Sequence, residues 1–343
     1  QTWKTNLYSS RDGNFFMPSF TKKEKVTLFP EAGLGYLVGP ILALISNGVV
    51  NIWLIQYWDK VLQLSAWAPL FETLLPILSS IIIVIGNLFV GKLMERKPKL
   101  AGKARPLILL AMPFVTVALL ALFLIPLPTG AGGTFSNLWA SIIIAVAYNL
   151  YYAFAWPIYY TSHSALVNLS TRDDKSRGLL STCIMAAQLG AAGVSGMAGG
   201  FLVDWIGLLP KYTYIDPSSG AQKTASALSE IPDAIRALGP LGYNTVVSPE
   251  QANSKWVILM IVMAVCLVIG CLLEYFFSRE RITEELIENA SREEASAEGA
   301  KKVSIGEQIK VCVKDKYWWL IIIFFFLYQV GGQMKNNDLS FYS

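Results

Sequence analysis

Five polar and aromatic residues in one apolar stretch, Asn149, Tyr152, Trp156, Tyr159 and His163, follow one another at steps of 3, 4, 3 and 4. On an α-helix that spacing keeps them on one face. Aromatic rings lie against the C–H face of a sugar while an amide bonds its hydroxyls, so the stripe suits a neutral polar solute. Tyr159 and His163 fit an interfacial aromatic belt better, and Asn149, Tyr152 and Trp156 fit a cavity lining. Asn47 and Asn51 stand one turn apart in another apolar stretch. They suit solute binding and cross-helix bonding equally well. Gln188 stands beside the small-residue run "GAAGVSGMAGG", whose main use is close helix packing. Near the end of the chain, Gln329, Lys335 and Asp338 lie in or just past a further apolar stretch, with Lys335 and Asp338 at i and i+3. Among the acids, Glu72 falls within about two turns of a helix end, while Asp204 and Glu274 fall at helix ends where water reaches them.

Composition says what holds these residues. The chain is 54% hydrophobic and 15% charged, too apolar for a water-facing surface. No Asp, Glu, Lys or Arg occurs in 32–58, 73–91, 106–171, 178–203, 256–273 or 317–334, and a span needs roughly 20 such residues. The longest gap holds two helices divided by "PLPTGAGGTFSN". The expected spans are 34–58, 66–93, 106–126, 138–162, 178–203, 255–277 and 317–341. The domains follow as an N-terminal segment 1–33, a six-helix lobe 34–277 with an outer loop 204–254, a linker 278–316, and the start of a second lobe at 317–343. The outer loop reads as a surface excursion, too short and weakly apolar for a domain. The linker reads as a solvated, sign-alternating helix followed by an amphipathic helix on the membrane face.

Sidedness follows from the basic residues, because cytoplasmic loops retain Lys and Arg. Segments 1–33, 92–105, 163–177 and 278–316 together hold 22, and the alternate connections hold 5. The N-terminus is therefore expected in the cytoplasm, most plausibly at the plasma membrane. The net charge of +4 reflects topology rather than nucleic-acid binding. The four cysteines lie in spans or the cytosolic linker, so free thiols are expected. With one histidine there is no metal-ligand spacing, nor a nucleophile elbow or phosphate loop, so no enzyme is indicated. The chain opens on Gln1 and ends at Ser343 as an apolar segment runs out, and it reads as a fragment whose missing C-terminal lobe is one of its partners. The other partners are a small-molecule solute and the lipid bilayer.

Two loops carry a family resemblance. Gly91-x-x-x-Glu95-Arg96, followed by Gly102 and Arg105-Pro106, is similar to the loop between helices two and three of the major facilitator superfamily. Its trailing Arg-Pro resembles the glycoside–pentoside–hexuronide cation symporters, the melibiose-carrier-like branch. "ALVNLSTRDDKSRG" (165–178) is similar to that branch's loop between helices four and five, and "QYWDKVLQLS" (56–65) to its helix-one exit. The resemblance implies an all-α membrane protein: a six-helix lobe of 3+3 inverted repeats plus the first helix of a second lobe. It implies alternating access, solute bound between lobes, no cofactor, and Na⁺ or H⁺ as co-transported ion. It places a cytoplasmic gate at Gly91, Glu95, Arg96, Arg105, Asp173 and Arg177. The branch's two cation-site carboxylates fall on Ile83 and Asn87, and its sugar-binding acids near Ala43 and at Tyr160. None is acidic, so a sodium site of the family type lacks its charge. The expected function is transport of a sugar or glycoside. The rivals are another substrate class, namely a drug, peptide or nucleoside, or a non-transporting sensor or scaffold of the same fold.

Overall fold

A computed structural model describes residues 26–94, 102–283 and most of 313–327. The chain divides into two compact units, Gln1–Ile287 and Glu288–Ser343, each described by itself.

Among its described residues, the first unit carries six helices long and apolar enough to cross a membrane. They are α1 (Leu28–Val61), α2 (Pro69–Met94), α3 (Arg105–Phe123), α4 (Asn137–Ser170), α5 (Asp174–Gly196) and α6 (Pro249–Phe277). These are the first six stretches expected to span. The start of α1, the end of α2, the start of α3 and the end of α6 share one end of the bundle with the α4–α5 connection, here called the basic end. In the second unit, helical residues begin at 313, and Trp318 meets Trp319 edge-on with ring centroids 5.0 Å apart. Gln329, Lys335 and Asp338 lie outside the described residues, as does most of the expected amphipathic helix.

Three of the six helices are not α-helical throughout, α5 turning π-helical from Val194. α1 is π-helical over Leu28–Val38 and again over Tyr57–Val61, and α4 is π-helical over Leu150–Ala155. Proline supplies the reason in α4. Pro157 has no N–H for the Ala153 carbonyl and its ring crowds that carbonyl, and wider turns re-satisfy the backbone around such a gap. Pro40 removes the corresponding donor to Tyr36 at the end of the first π segment of α1.

Small residues let the helices approach. A Cβ on Gly86 of α2 would fall 1.8 Å from the Ala153 carbonyl oxygen in the π turns of α4. α1 and α6 cross at Gly39 and Gly270, where a Cβ on Gly270 would fall 2.6 Å from the Gly39 carbonyl oxygen. With no hydrophobic drive between helices in lipid, such approach is what holds them. At the other end, Tyr57 donates to the Phe123 carbonyl or to Asn253 Oδ1 (3.1 and 2.8 Å), and Asn253 donates to the Ile125 carbonyl at 3.1 Å. These bonds tie α1, α3 and α6 together there.

The outer loop has more structure than its composition suggests. β1 (Lys211–Ile215), β2 (Gln222–Ala225) and β3 (Tyr243–Val247) form an antiparallel sheet in the order β2-β1-β3. Tyr212 faces Ala225 across one pair of strands, and with Ile231 and Ile235 the two form a small core of their own. The expectation of a plain excursion missed this because four apolar residues suffice when a three-stranded sheet brings them together.

Gly86→Ala is expected to push α2 from α4 and to lower the thermal midpoint of the purified protein by several degrees. An unchanged midpoint would show that the two helices do not touch there.

Candidate functional site

The polar centre of the bundle is built where the π turns of α4 meet α1. In an α-helix, residues five apart point well away from one another; here Tyr151 and Trp156 stack with centroids 5.9 Å apart and planes at 16°. The wider turn does this, since its hydrogen bonds join residues five apart. It also brings Tyr151, which the 3-and-4 spacing leaves off the stripe, into bonding distance of α1. Asn47 Nδ2 donates to the Tyr151 hydroxyl at 3.1 Å, Asn51 Nδ2 donates to Asn47 Oδ1 at 2.9 Å, and the Tyr152 hydroxyl donates to Asn51 Oδ1 at 3.0 Å. Tyr148 leans on Tyr152 at 4.6 Å. Asn51 is exposed and Tyr152 half-buried. A carboxamide has two N–H donors and a twice-accepting oxygen, so Asn51 keeps one donor and one lone pair beyond this chain of bonds.

Asn149 is half-buried. Its Nδ2 donates to the Ala145 carbonyl at 2.8 Å, while its Oδ1 is buried with no hydrogen-bond partner. Gln188 is half-buried on α5. Tyr159 stands apart from the amide chain: it is buried, and its hydroxyl donates to Glu274 Oε2 at 2.9 Å. His163 Nδ1 lies 2.5 Å from the other oxygen of the same carboxylate. Both His163 and Glu274 have side chains with no exposure at all. This corrects two expectations. Glu274 is not at a solvated helix end, and Tyr159 and His163 are not a lipid-facing belt; α4 continues to Ser170 and lays this face against α6. Position along the chain hid the acid, for it lies one turn inside the end of α6, and only its partners on α4 reveal it.

A second polar assembly occupies the basic end. Glu280 accepts from the backbone N–H groups of Lys103, Ala104 and Arg105 at 2.7–2.8 Å, and from the Thr283 hydroxyl at 2.8 Å. Its carboxylate thus caps the N-terminus of α3, where the helix dipole favours negative charge. Gly102 (φ 105°) makes room, since a Cβ there would fall 2.6 Å from Glu280 Oε1. Arg105 Nε and Nη2 donate to the Tyr275 carbonyl at 3.0 and 2.7 Å, with the guanidinium 5.1 Å from the Tyr275 ring. Arg281 forms a two-pronged pair with Glu31 of α1 at 2.6 and 2.8 Å. The start of the linker is therefore buried and bonded, not a solvated helix: charges of opposite sign met across helices that the sequence separates by 250 residues.

Asp173 caps α5 by accepting from the Ser176 N–H and hydroxyl at 3.0 and 2.6 Å, and Arg177 pairs with Asp174 at 2.6 Å. Gly91 is exposed, and Glu95 and Arg96 lie outside the described residues. Asn87, exposed on α2, spends its Nδ2 on the Ile83 carbonyl at 2.9 Å. Among the described residues no group of three or more His, Cys, Asp or Glu is placed to hold a metal ion.

Six apolar helices around an amide-and-tyrosine centre define a multi-pass integral membrane protein. The family model described as MFS/sugar transport protein matches residues 35–343, and the chain belongs to that family of secondary transporters. No individual curated protein matches the chain significantly.

Replacing Glu280 by Ala leaves three backbone donors of α3 without their acceptor. The expected loss is about 2–4 kcal/mol of stability, visible as a lower thermal midpoint, with Glu280→Gln losing less.

Proposed function

We propose that the chain forms the N-terminal lobe and the start of the second lobe of a carrier that moves a small polar solute, a sugar or glycoside, by alternating access. The bonded chain Tyr151–Asn47–Asn51–Tyr152 beside the Tyr151–Trp156 stack, midway along α1 and α4, carries this reading. A ring plane beside an amide with spare donor and acceptor is suited to a solute that is apolar on one face and hydroxylated on its edge. Asn149, with an unpartnered oxygen, and Gln188 extend the same lining. The family's description as sugar transport proteins agrees with the chemistry. Residues Gln329, Lys335 and Asp338 are proposed to face the solute from the second lobe.

The basic end is proposed to be cytoplasmic, by the excess of Lys and Arg in its connections, at the plasma membrane. Gly91, Glu95, Arg96, Arg105, Asp173 and Arg177 are the positions proposed for the cytoplasmic gate. Since Ile83 and Asn87 offer a cation no carboxylate, transport is expected to change little when Na⁺ is replaced by choline.

Uptake of a panel of labelled mono- and disaccharides by cells making the full-length protein tests the reading. Asn51→Ala and Tyr152→Phe are expected to weaken apparent affinity about tenfold, as the loss of one hydrogen bond implies, at unchanged expression. Sugar uptake indifferent to both changes would remove the amide chain from the site, and strong sodium dependence would overturn the choline prediction.

A further inference from the structure

The buried cluster of His163, Glu274 and Tyr159 is not used by the solute site, and it joins α4 to α6 in the half of the bundle toward the basic end. Its chemistry is specific. Glu274 offers both carboxylate oxygens, one to the Tyr159 hydroxyl and one to His163 Nδ1. His163 Nε2 is buried and has no hydrogen-bond partner. When Nδ1–H donates to the carboxylate, Nε2 carries a lone pair and the pair bears one negative charge. One proton added at Nε2 gives an imidazolium–carboxylate pair with no net charge. The cluster thus has a place for one proton.

The same cluster touches the solute site through rings. Trp156 lies 5.3 Å from Tyr159, and Tyr159 stacks on the His163 imidazole at 5.7 Å and 16°. A solute that shifts Trp156 moves the ring whose hydroxyl holds the Glu274 carboxylate. The other titratable and charged groups at this end include Arg279, buried five residues after Glu274. Tyr160 lies 6.2 Å from His163 on the same helix, and Cys271 is one turn before Glu274 on its own. On α1, which packs here at Gly39, the titratable groups at this end are Tyr36 and Glu31, and Glu31 is committed to Arg281. On α3, Arg105 is committed to the Tyr275 carbonyl, and on α2, Lys92 is exposed. From the π turns of α4 comes Tyr151, bonded to Asn47.

We propose that His163 and Glu274 form the proton-binding site of this carrier, with Tyr159 as a positioning residue, and that the proton is the ion moved with the solute. The site lies on α4 and α6, not at the α2 positions Ile83 and Asn87. The inference rests on the transport reading above for its second half, and stands on the cluster's own geometry for its first.

The test uses the full-length protein in vesicles containing a pH-sensitive dye, under a set potential, with the panel of mono- and disaccharides. Wild type is expected to acidify the lumen as sugar enters. Glu274→Gln, close in shape, is expected to let sugar equilibrate at no less than about a third of the wild-type rate with no acidification. Acidification that persists in Glu274→Gln, or sugar entry without acidification in wild type, would overturn the proposal while leaving sugar transport intact. If no sugar enters at all, the transport reading fails, and infrared titration of the purified protein in lipid still decides whether the cluster binds a proton. Histidine bands that titrate in wild type, shift their midpoint in Tyr159→Phe and change in Glu274→Gln support the site. Bands that do not titrate between pH 4 and 10, or that are unmoved by both substitutions, overturn it and leave the cluster a static tie between helices.

Discussion

A helix in hydrocarbon must satisfy its peptide groups from within, and Pro157 takes away one of the donors in the middle of α4. Much of the bundle's centre follows from how that deficit is met. The π turns at Leu150–Ala155 widen the helix, carry the Ala153 carbonyl against Gly86 of α2, and set Tyr151 over Trp156. That places a phenol within reach of Asn47. A backbone irregularity of one turn therefore produces both the tightest helix contact of α2 and the polar chain facing α1.

The polar groups at the basic end solve a different problem. There the helices emerge with unsatisfied termini, and the linker that leaves α6 supplies the missing charges. Glu280 closes the first turn of α3, Arg281 neutralises Glu31, and Arg105 donates to the Tyr275 carbonyl. Each of these charges is buried or half-buried and each is bonded, which is the condition on which buried charge is tolerated.

The sequence makes the six spans plain, because the bilayer forbids charge over about 20 residues and the gaps can be counted. It also places Asn47, Asn51, Tyr152 and Trp156 in the right spans. Tyr151 is invisible to a 3.6-residue count, since the π turn that recruits it depends on a proline six residues later and a glycine on another helix. Glu274 is invisible for a related reason: near a helix end an acid looks solvated until His163 and Tyr159 are known to lie across from it. The small sheet at 211–247 escapes because its core is assembled from four short segments, none apolar enough alone. In each case the missing information is which residues from distant parts of the chain meet, and local pattern does not contain it.

The Glu280 carboxylate has a mechanical meaning as well. α3 and α4 are connected at the end of the bundle far from it, through the turn at 124–136, while at the near end one side chain following α6 is bolted to the first peptide groups of α3. The first three helices and the last three are thereby fastened at both extremities. Parting those two halves of the bundle would therefore require the Glu280 bonds to break as well as the turn to bend.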